Sequence, residues 1–90
     1  MLNYNFNKDN IVDTKTEILA ILKQVKPTKD LEQVNDIVEG GFIDSFELMN
    51  LIASFQDTFG IEITVEDLTP DNFNSVDAMA AMVNRLKGNQ

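Results

Sequence analysis

The sequence contains no cysteine and no histidine among its 90 residues. Without cysteine, the chain has no disulfide bond, no thiolate nucleophile and no zinc–thiolate site. Without histidine, it lacks the side chain that most often serves as an acid or base near neutral pH. Paired carboxylates could still support catalysis, but no motif in the sequence indicates them. We therefore expect a protein without catalytic activity of its own.

Long apolar segments are absent as well. No run of apolar residues reaches the roughly 18 that a membrane-spanning helix requires, so the sequence predicts no membrane span. The first eight residues lack the basic and apolar regions of a secretory signal, and we expect a cytoplasmic protein. A chain of this length has one modest core and forms one domain. Residues 1–12 are expected to be flexible or loosely docked, and the domain itself to span 13–90.

Basic residues are missing from the central part of the chain. Between Asp30 and Asn84 there are twelve acidic residues and no Lys or Arg, and the net charge of the whole chain is −8. This distribution excludes nucleic acid as a partner, because phosphate contacts require positive charge. It favours a partner with a basic protein surface, which attraction between opposite charges would steer toward the acidic region. The alternative is that the acidic residues only keep the protein soluble.

Helical periodicity begins at residue 14. Thr14 and Glu17 have the spacing of a capping box, and apolar residues follow at helical spacing until Pro27 ends the first helix. A long connection at 27–43 comes next, and its apolar residues between 31 and 38 could form a short helical turn. A connection of this length often carries function.

The second helix has clear start and stop signals. Asp44 is a good N-cap, and Glu47 three residues later completes an acidic version of the capping box. The helix should continue to about Phe59 and end at Gly60.

Two further elements complete the predicted fold. Val65–Leu68 can form one helical turn, and a last helix begins after Asn74 or Ser75 and ends at Gly88. The sequence therefore predicts an all-α fold, a small bundle of three principal helices plus one short helix.

The predicted second helix has two apolar faces, given about 100° of rotation per residue. A second, smaller face consists of Phe46, Met49 and Ala53, and a three-helix bundle would leave it at least partly exposed. Either this face packs beneath the 27–43 connection, or it is a contact surface for partners. The larger face is expected to enter the core and contains Leu48, Leu51, Ile52, Phe55 and Phe59.

Ser45 directly follows the predicted N-cap and a loop that contains two adjacent glycines. Free N–H groups and the helix dipole at a helix N-terminus stabilise a phosphate group. Ser45 is not expected to be a catalytic nucleophile, since the chain has no His to activate it and no Lys lies nearby in the sequence. These features favour an exposed serine on which the helix would stabilise a phosphodiester; the alternative is an ordinary solvated residue in the first helical turn.

The segment Gly41–Phe46 resembles the prosthetic-group site of acyl and peptidyl carrier proteins, in which Asp-Ser-Leu usually begins the second helix. The resemblance covers about residues 14 to 87 and continues through Phe55, Phe59–Ile63, Asp67–Leu68 and Phe73–Val76. It implies an acyl-carrier-like bundle in which 13–90 is a carrier domain. It also implies that the protein presents an acyl or aminoacyl group, held as a thioester, to partner enzymes.

The resemblance implies a cofactor and a set of partners. A phosphopantetheinyl transferase would attach the 4′-phosphopantetheine arm of coenzyme A to Ser45, and Asp44 would help to organise the magnesium-assisted transfer. An adenylating ligase or an acyltransferase would then load the arm, and downstream biosynthetic enzymes would receive the cargo from a monomeric carrier. The partner-binding residues implied in this way are Phe46, Glu47, Met49, Asn50, Ala53 and Ile63.

Departures from the usual pattern bear on the pathway and on the alternatives. Phe46 replaces the usual Leu, and Asn50 stands where fatty-acid carriers usually have Glu. The segment Phe73–Val76 is similar to D-alanyl and other aminoacyl carriers, which favours a dedicated biosynthetic carrier. The main alternative is an armless acidic adaptor that binds a basic partner through Phe46, Met49 and Ala53. A calcium sensor is disfavoured, because Asp67–Asp71 lacks the ligand alternation and glycine of an EF-hand.

Overall fold

The computed structural model describes residues 13–88, and these residues form helices and turns without a strand. This architecture confirms the predicted all-α bundle of three principal helices and a short one. The predictions for residues 1–12 lie outside the described residues, as do residues 89 and 90. The helices are α1 (Thr14–Val25), α2 (Ser45–Phe59), α3 (Pro70–Phe73) and α4 (Val76–Gly88). No helix within 13–88 is both long enough and apolar enough to cross a membrane.

The cap of α1 differs from the prediction. Asp13, not Thr14, is the N-cap, and its Oδ1 accepts a hydrogen bond of 2.8 Å from the Thr16 N–H. This hydrogen bond lowers the pKa of Asp13 below its ordinary value of 3.8. Thr14 is buried at the first helical position, where its Oγ1 donates to Asn84 Oδ1 of α4 at 2.7 Å. The predicted Thr14–Glu17 capping box is therefore wrong, because the Thr14 hydroxyl binds a neighbouring helix instead of its own backbone.

The helical turn predicted at Val65–Leu68 is present, and a further short helix that was not predicted, α3, follows it. Val65–Asp67 forms only a 3₁₀ turn, which is closed by hydrogen bonds of 3.0 and 3.2 Å from Thr64 N–H and Oγ1 to Asp67 Oδ2. Helix α3 begins at Pro70, whose ring suits a first helical position because no N–H is required there. Ser75 then caps α4, since its Oγ accepts from the Ala78 N–H at 3.0 Å. The last helix thus begins as the sequence predicts, and it extends to Gly88, the last described residue.

The long connection between α1 and α2 contains turns but no helix. The helical turn that the sequence allows between residues 31 and 38 is limited to single hydrogen-bonded turns, one of them closed by the Val34 N–H and Leu31 O at 3.1 Å. Leu31 and Ile37 of this segment are buried in the core, and the Ile37 N–H donates to Asn74 O at 2.9 Å. The segment does not need a helix to satisfy its backbone hydrogen bonds, because backbone groups such as the Ile37 N–H bind acceptors elsewhere in the molecule.

The core lies where α1, α2 and α4 meet, closed on one side by α3 and the long connection. Its largest fully buried side chains are Phe55 of α2 and Phe73 of α3. A salt bridge of 3.1 Å from Lys15 Nζ to Asp77 Oδ1 joins α1 to α4 on the surface and raises the pKa of Lys15 above 10.5. This packing fixes the orientation of α2, whose first residues form the candidate site.

Candidate functional site

Helix α2 begins with the predicted capping box. Asp44 Oδ1 accepts from the Glu47 N–H at 2.7 Å, and Glu47 Oε1 accepts from the Asp44 N–H at 2.9 Å. At the other end, Gly60 has a left-handed conformation with φ of 64°, which suits glycine and terminates the helix. The start of α2 is therefore fixed by reciprocal hydrogen bonds that do not involve Ser45.

Ser45 is the first residue of α2, and its side chain is exposed. The first backbone hydrogen bond of the helix joins the Leu48 N–H to Asp44 O at 2.8 Å. The N–H groups of Ser45 and Phe46 come before this bond, so the helix itself provides no acceptor for them. An anion attached to the Ser45 hydroxyl would meet these donors and the positive end of the helix dipole.

The loop before Ser45 turns sharply and is anchored on both sides of the turn. Gly41 has φ of 75°, a conformation that other residues rarely adopt, and the Phe42 N–H donates to Ile37 O at 3.0 Å. Ile43 on the far side of the turn is buried in the core. The serine is thus exposed although the residues that flank its loop are held by the core.

The second apolar face of α2 is exposed. Phe46 is 74% exposed and Met49 is 69% exposed, and Ala53 is also exposed. This observation excludes the interpretation in which the face packs beneath the long connection. A large aromatic and a flexible thioether side chain, one turn apart and beside Ser45, have the properties of a contact surface. We call Phe46, Met49 and Ala53 the α2 surface.

The other residues assigned to partner binding have different surroundings. Asn50 is exposed on α2, but Glu47 is only partly exposed and forms a salt bridge with Lys26, whose Nζ lies 3.1 Å from Oε2 and 3.3 Å from Oε1. Ile63 is buried in the core, and its N–H donates to Gln56 Oε1 at 2.9 Å. Ile63 is therefore not part of the exposed surface, and Glu47 contributes less negative charge to it than the sequence suggests.

An open apolar cleft of about 320 Å³ lies beside Ser45. Helix α2 forms one wall, and the segment from Leu68 to Phe73 forms the opposite one. The cleft joins the exposed serine to the interior, and its lining offers almost only apolar contacts. Its lining residues are Val38, Ser45, Leu48, Met49, Ile52, Leu68, Thr69, Pro70 and Phe73.

The second wall of this cleft was not predicted from the sequence. Val65 is 84% exposed and Leu68 is 45% exposed, although both belong to the segment expected to form a short helical turn. Helical periodicity cannot identify such residues, since the 3₁₀ turn has only three residues and no periodic face. Only the folded arrangement brings Leu68 and Met49 into the lining of one cleft.

The acidic region has few basic neighbours. Lys15 in α1 pairs with Asp77, and Lys26 at the C-terminus of α1 pairs with Glu47. These are the two salt bridges among residues 13–88. The other ten acidic residues between Asp30 and Asn84 have no salt bridge to a described residue. Their charge therefore remains available to attract a basic partner.

Comparison with known proteins adds a finding about the whole described region. A family model described as "Phosphopantetheine attachment site" matches residues 16–83. A D-alanyl carrier protein of Staphylococcus saprophyticus is 28% identical over 80 residues, which cover 89% of this chain and 96% of that protein. A D-alanyl carrier protein of Bacillus licheniformis is 28% identical over 79 residues, 84% of this chain and 100% of that protein. The family match extends from α1 into α4 and includes Ser45 with both walls of the cleft.

Proposed function

The chain belongs to the phosphopantetheine attachment-site family, and we propose that Ser45 is the residue that carries its phosphopantetheine arm. Family membership confirms the predicted cofactor and the predicted role of a non-catalytic carrier protein. The observation that supports Ser45 is its position: an exposed hydroxyl at the first residue of a 15-residue helix, preceded by a fixed N-cap.

Ser45 fits the chemistry of attachment. Its Oγ would form a bond to the phosphorus that bears the pantetheine group of coenzyme A, while a P–O bond of the pyrophosphate breaks. Adenosine 3′,5′-bisphosphate leaves, and the hydroxyl proton passes to a base of the transferase. The Ser45 and Phe46 N–H groups would stabilise the new phosphodiester at the N-terminus of α2.

Asp44 would have two tasks in the same step. Its Oδ1 caps α2 through the Glu47 N–H at 2.7 Å, whereas Oδ2 has no hydrogen bond to a residue within 13–88. The carboxylate can therefore face a magnesium ion held by the transferase without giving up the cap, since carboxylate oxygens are preferred Mg²⁺ ligands.

The proposed cargo is an acyl or aminoacyl group held as a thioester on the arm, and D-alanine is the first candidate. Both relatives support this choice, since both are D-alanyl carrier proteins. The arm supplies the thiol, which this chain lacks. The candidate is tested by isolating the carrier from its native cells and measuring the mass of the group bound to the arm.

The proposed partners bind at the α2 surface. They are the phosphopantetheinyl transferase, an adenylating ligase or acyltransferase that loads the arm, and downstream enzymes. Phe46 and Met49 support this assignment, because they are exposed beside Ser45, where every partner that acts on the arm must approach. The armless adaptor would use the same surface but would not need Ser45.

The first experiment measures the intact mass after incubation with coenzyme A, Mg²⁺ and a broad-specificity transferase. We expect the wild type to gain one phosphopantetheine and Ser45→Ala to gain none. Ser54→Ala is the matched control, since it makes the same change two turns or more further along α2. Loading of Ser45→Ala would contradict the assignment of the arm to Ser45, whereas no loading of a folded wild type with several transferases would favour the armless adaptor.

A further inference from the structure

One residue outside α2 holds the loop that leads to Ser45. The N–H groups of Val38 and Glu39 both donate to Asn74 Oδ1 at 3.1 Å, and the Ile37 N–H donates to Asn74 O at 2.9 Å. In the other direction, Asn74 Nδ2 donates to Glu39 Oε1 at 2.8 Å. Four hydrogen bonds thus connect three consecutive loop residues to a single residue about 35 positions later in the chain.

Asn74 is itself fixed by two helices. Its N–H donates to Pro70 O at 2.8 Å, which makes it the C-cap of α3, and the next residue, Ser75, caps α4. The side chain therefore projects from a rigid corner. A loop bound to this corner loses the freedom that a segment of turns would otherwise have.

The loop bound by Asn74 leads directly to the attachment serine. Glu39 is followed by a tight glycine turn, in which the Gly40 N–H lies 2.6 Å from Asp36 O. A Cβ at Gly40 would approach the same oxygen to 2.6 Å, so this turn requires glycine at position 40. Because the turn is tight, the position of residues 37–39 determines how the chain reaches Asp44 and Ser45.

The hydrogen bond between Val38 and Asn74 joins both sides of the cleft. Val38, which donates to Asn74, lines the cleft, and so does Phe73, the residue directly before Asn74. Loss of the Asn74 side chain would release the Val38 side without removing any apolar group from the core. Its effect on the site can therefore be separated from the effect of a core cavity.

We propose that Asn74 is a positioning residue for the attachment of phosphopantetheine, which holds residues 37–39 so that the transferase meets a preformed loop before Ser45. The inference rests on the proposed function of Ser45. When a binding-competent conformation is only a fraction of the population, the apparent affinity falls by that fraction. Release of the loop should therefore raise the KM of the transferase for the carrier and leave kcat unchanged, because the bound loop is ordered again.

The test compares loading kinetics of Asn74→Ala with those of Asn84→Ala. Both variants lose an Asn side chain that makes a tertiary hydrogen bond, but Asn84 binds Thr14 between α1 and α4, away from the loop. Loss of several hydrogen bonds predicts a KM about tenfold higher for Asn74→Ala. We expect an unchanged KM for Asn84→Ala. Amide hydrogen exchange should become faster at Val38 and Glu39 in Asn74→Ala and stay as in the wild type at Leu48.

A reversed donor–acceptor pair provides the rescue. Asn74→Asp would bring a second carboxylate against Glu39, so KM should rise. Glu39→Gln alone retains an acceptor for Asn74 Nδ2 and keeps the loop bound, so its KM measures only the loss of one acidic charge from the region that attracts a basic partner. In the double variant, the new carboxylate accepts from the Val38 N–H, the residue 39 N–H and the new amide, and KM should return to within about twofold of the wild type.

The outcomes separate this inference from the function on which it rests. If the wild type is not loaded at Ser45, both fail. If the wild type is loaded, an Asn74→Ala variant with unchanged KM overturns the positioning role alone. An equal increase in KM for Asn84→Ala, or a folded double variant without recovery, would overturn it as well, because general destabilisation would then explain the result.

Discussion

The two apolar faces of α2 have similar side chains and opposite surroundings. Leu51 and Phe55 are fully buried in the core, whereas Phe46 and Met49 are exposed for most of their area. Both faces contain a phenylalanine and a large aliphatic or thioether side chain within one helix of 15 residues. The difference shows that apolar character alone does not assign a residue to the core, because the packing of α1 and α4 covers only one side of the helix.

The exposed face has a consequence for function. Burial of a side chain such as Phe46 would stabilise the fold by roughly 1.5–3 kcal/mol, and its exposure forgoes this gain. Exposed apolar patches beside a reactive group commonly mark interaction sites. The buried face therefore determines stability, and the exposed face is expected to determine which enzymes bind.

The largest expected difference between the two faces of α2 is in stability, and it is tested by truncating one phenylalanine on each face. Phe55→Ala should lower the free energy of unfolding by about 3–5 kcal/mol, because it leaves a cavity in the core. Phe46→Ala should change it by no more than about 0.5 kcal/mol, as expected for an exposed position. Urea denaturation followed by circular dichroism measures both values.

A milder pair keeps this comparison measurable if Phe55→Ala does not fold. Phe55→Leu leaves a smaller cavity and should still destabilise the protein clearly, and Phe46→Leu should have almost no effect. Equal losses of stability at the two positions would mean that the two faces are not distinct.

A charge introduced on the exposed face of α2 tests whether this face binds the transferase without contributing to stability. Met49→Glu should leave the free energy of unfolding nearly unchanged and weaken transferase binding by about 2 kcal/mol, roughly 30-fold, if Met49 is a contact of hot-spot strength. The measurement is kcat/KM for loading. Ala81→Glu is the matched control, since it adds the same charge at an exposed position of α4.

Two results would assign Met49 differently. Normal loading of a folded Met49→Glu variant would remove Met49 from the contact surface. A similar loss in Ala81→Glu would mean that added negative charge, wherever it lies, is responsible for the weaker binding.

Much of this arrangement could be predicted from local sequence. The rotation of about 100° per residue separates Phe46 and Met49 from Leu51 and Phe55, and the Asp44 cap fixes where the helix begins. The sequence did not decide whether the smaller face is exposed, because its exposure depends on whether another segment of the chain covers it. Local pattern thus predicts which residues share a face, but not what that face contacts.

The remaining differences come from contacts between distant residues. Glu47 was assigned to partner binding, but it pairs with Lys26, 21 positions earlier. Asn74 is of a residue type that is common at helix caps. Its hydrogen bonds to the long connection depend on the tertiary structure and could not be predicted from the local sequence. The observed N-cap of α1 lies one residue before the predicted one. Asp13 and Thr14 are both suitable caps, and the hydroxyl of Thr14 has a better partner in Asn84.

The smallest predicted effect concerns the polar border between the two faces. Lys26→Met would remove the salt bridge to Glu47, whose two side chains are 28% and 22% exposed. Because the pair is partly exposed, its loss should cost at most about 1 kcal/mol of stability. The released Glu47 carboxylate should make the region beside Ser45 more negative and increase the association rate with a basic partner at low salt.

Lys23→Met separates this local effect from the change in net charge. Lys23 is exposed on α1 and forms no salt bridge with a residue in 13–88, so its replacement removes the same charge without releasing Glu47. We expect stopped-flow association at low ionic strength to be faster for Lys26→Met than for Lys23→Met, and the two rates to converge as salt screens the charges. Equal rates at low salt would mean that the acidic region acts through its total charge, and that the pairing of Glu47 has no influence on binding at the exposed face.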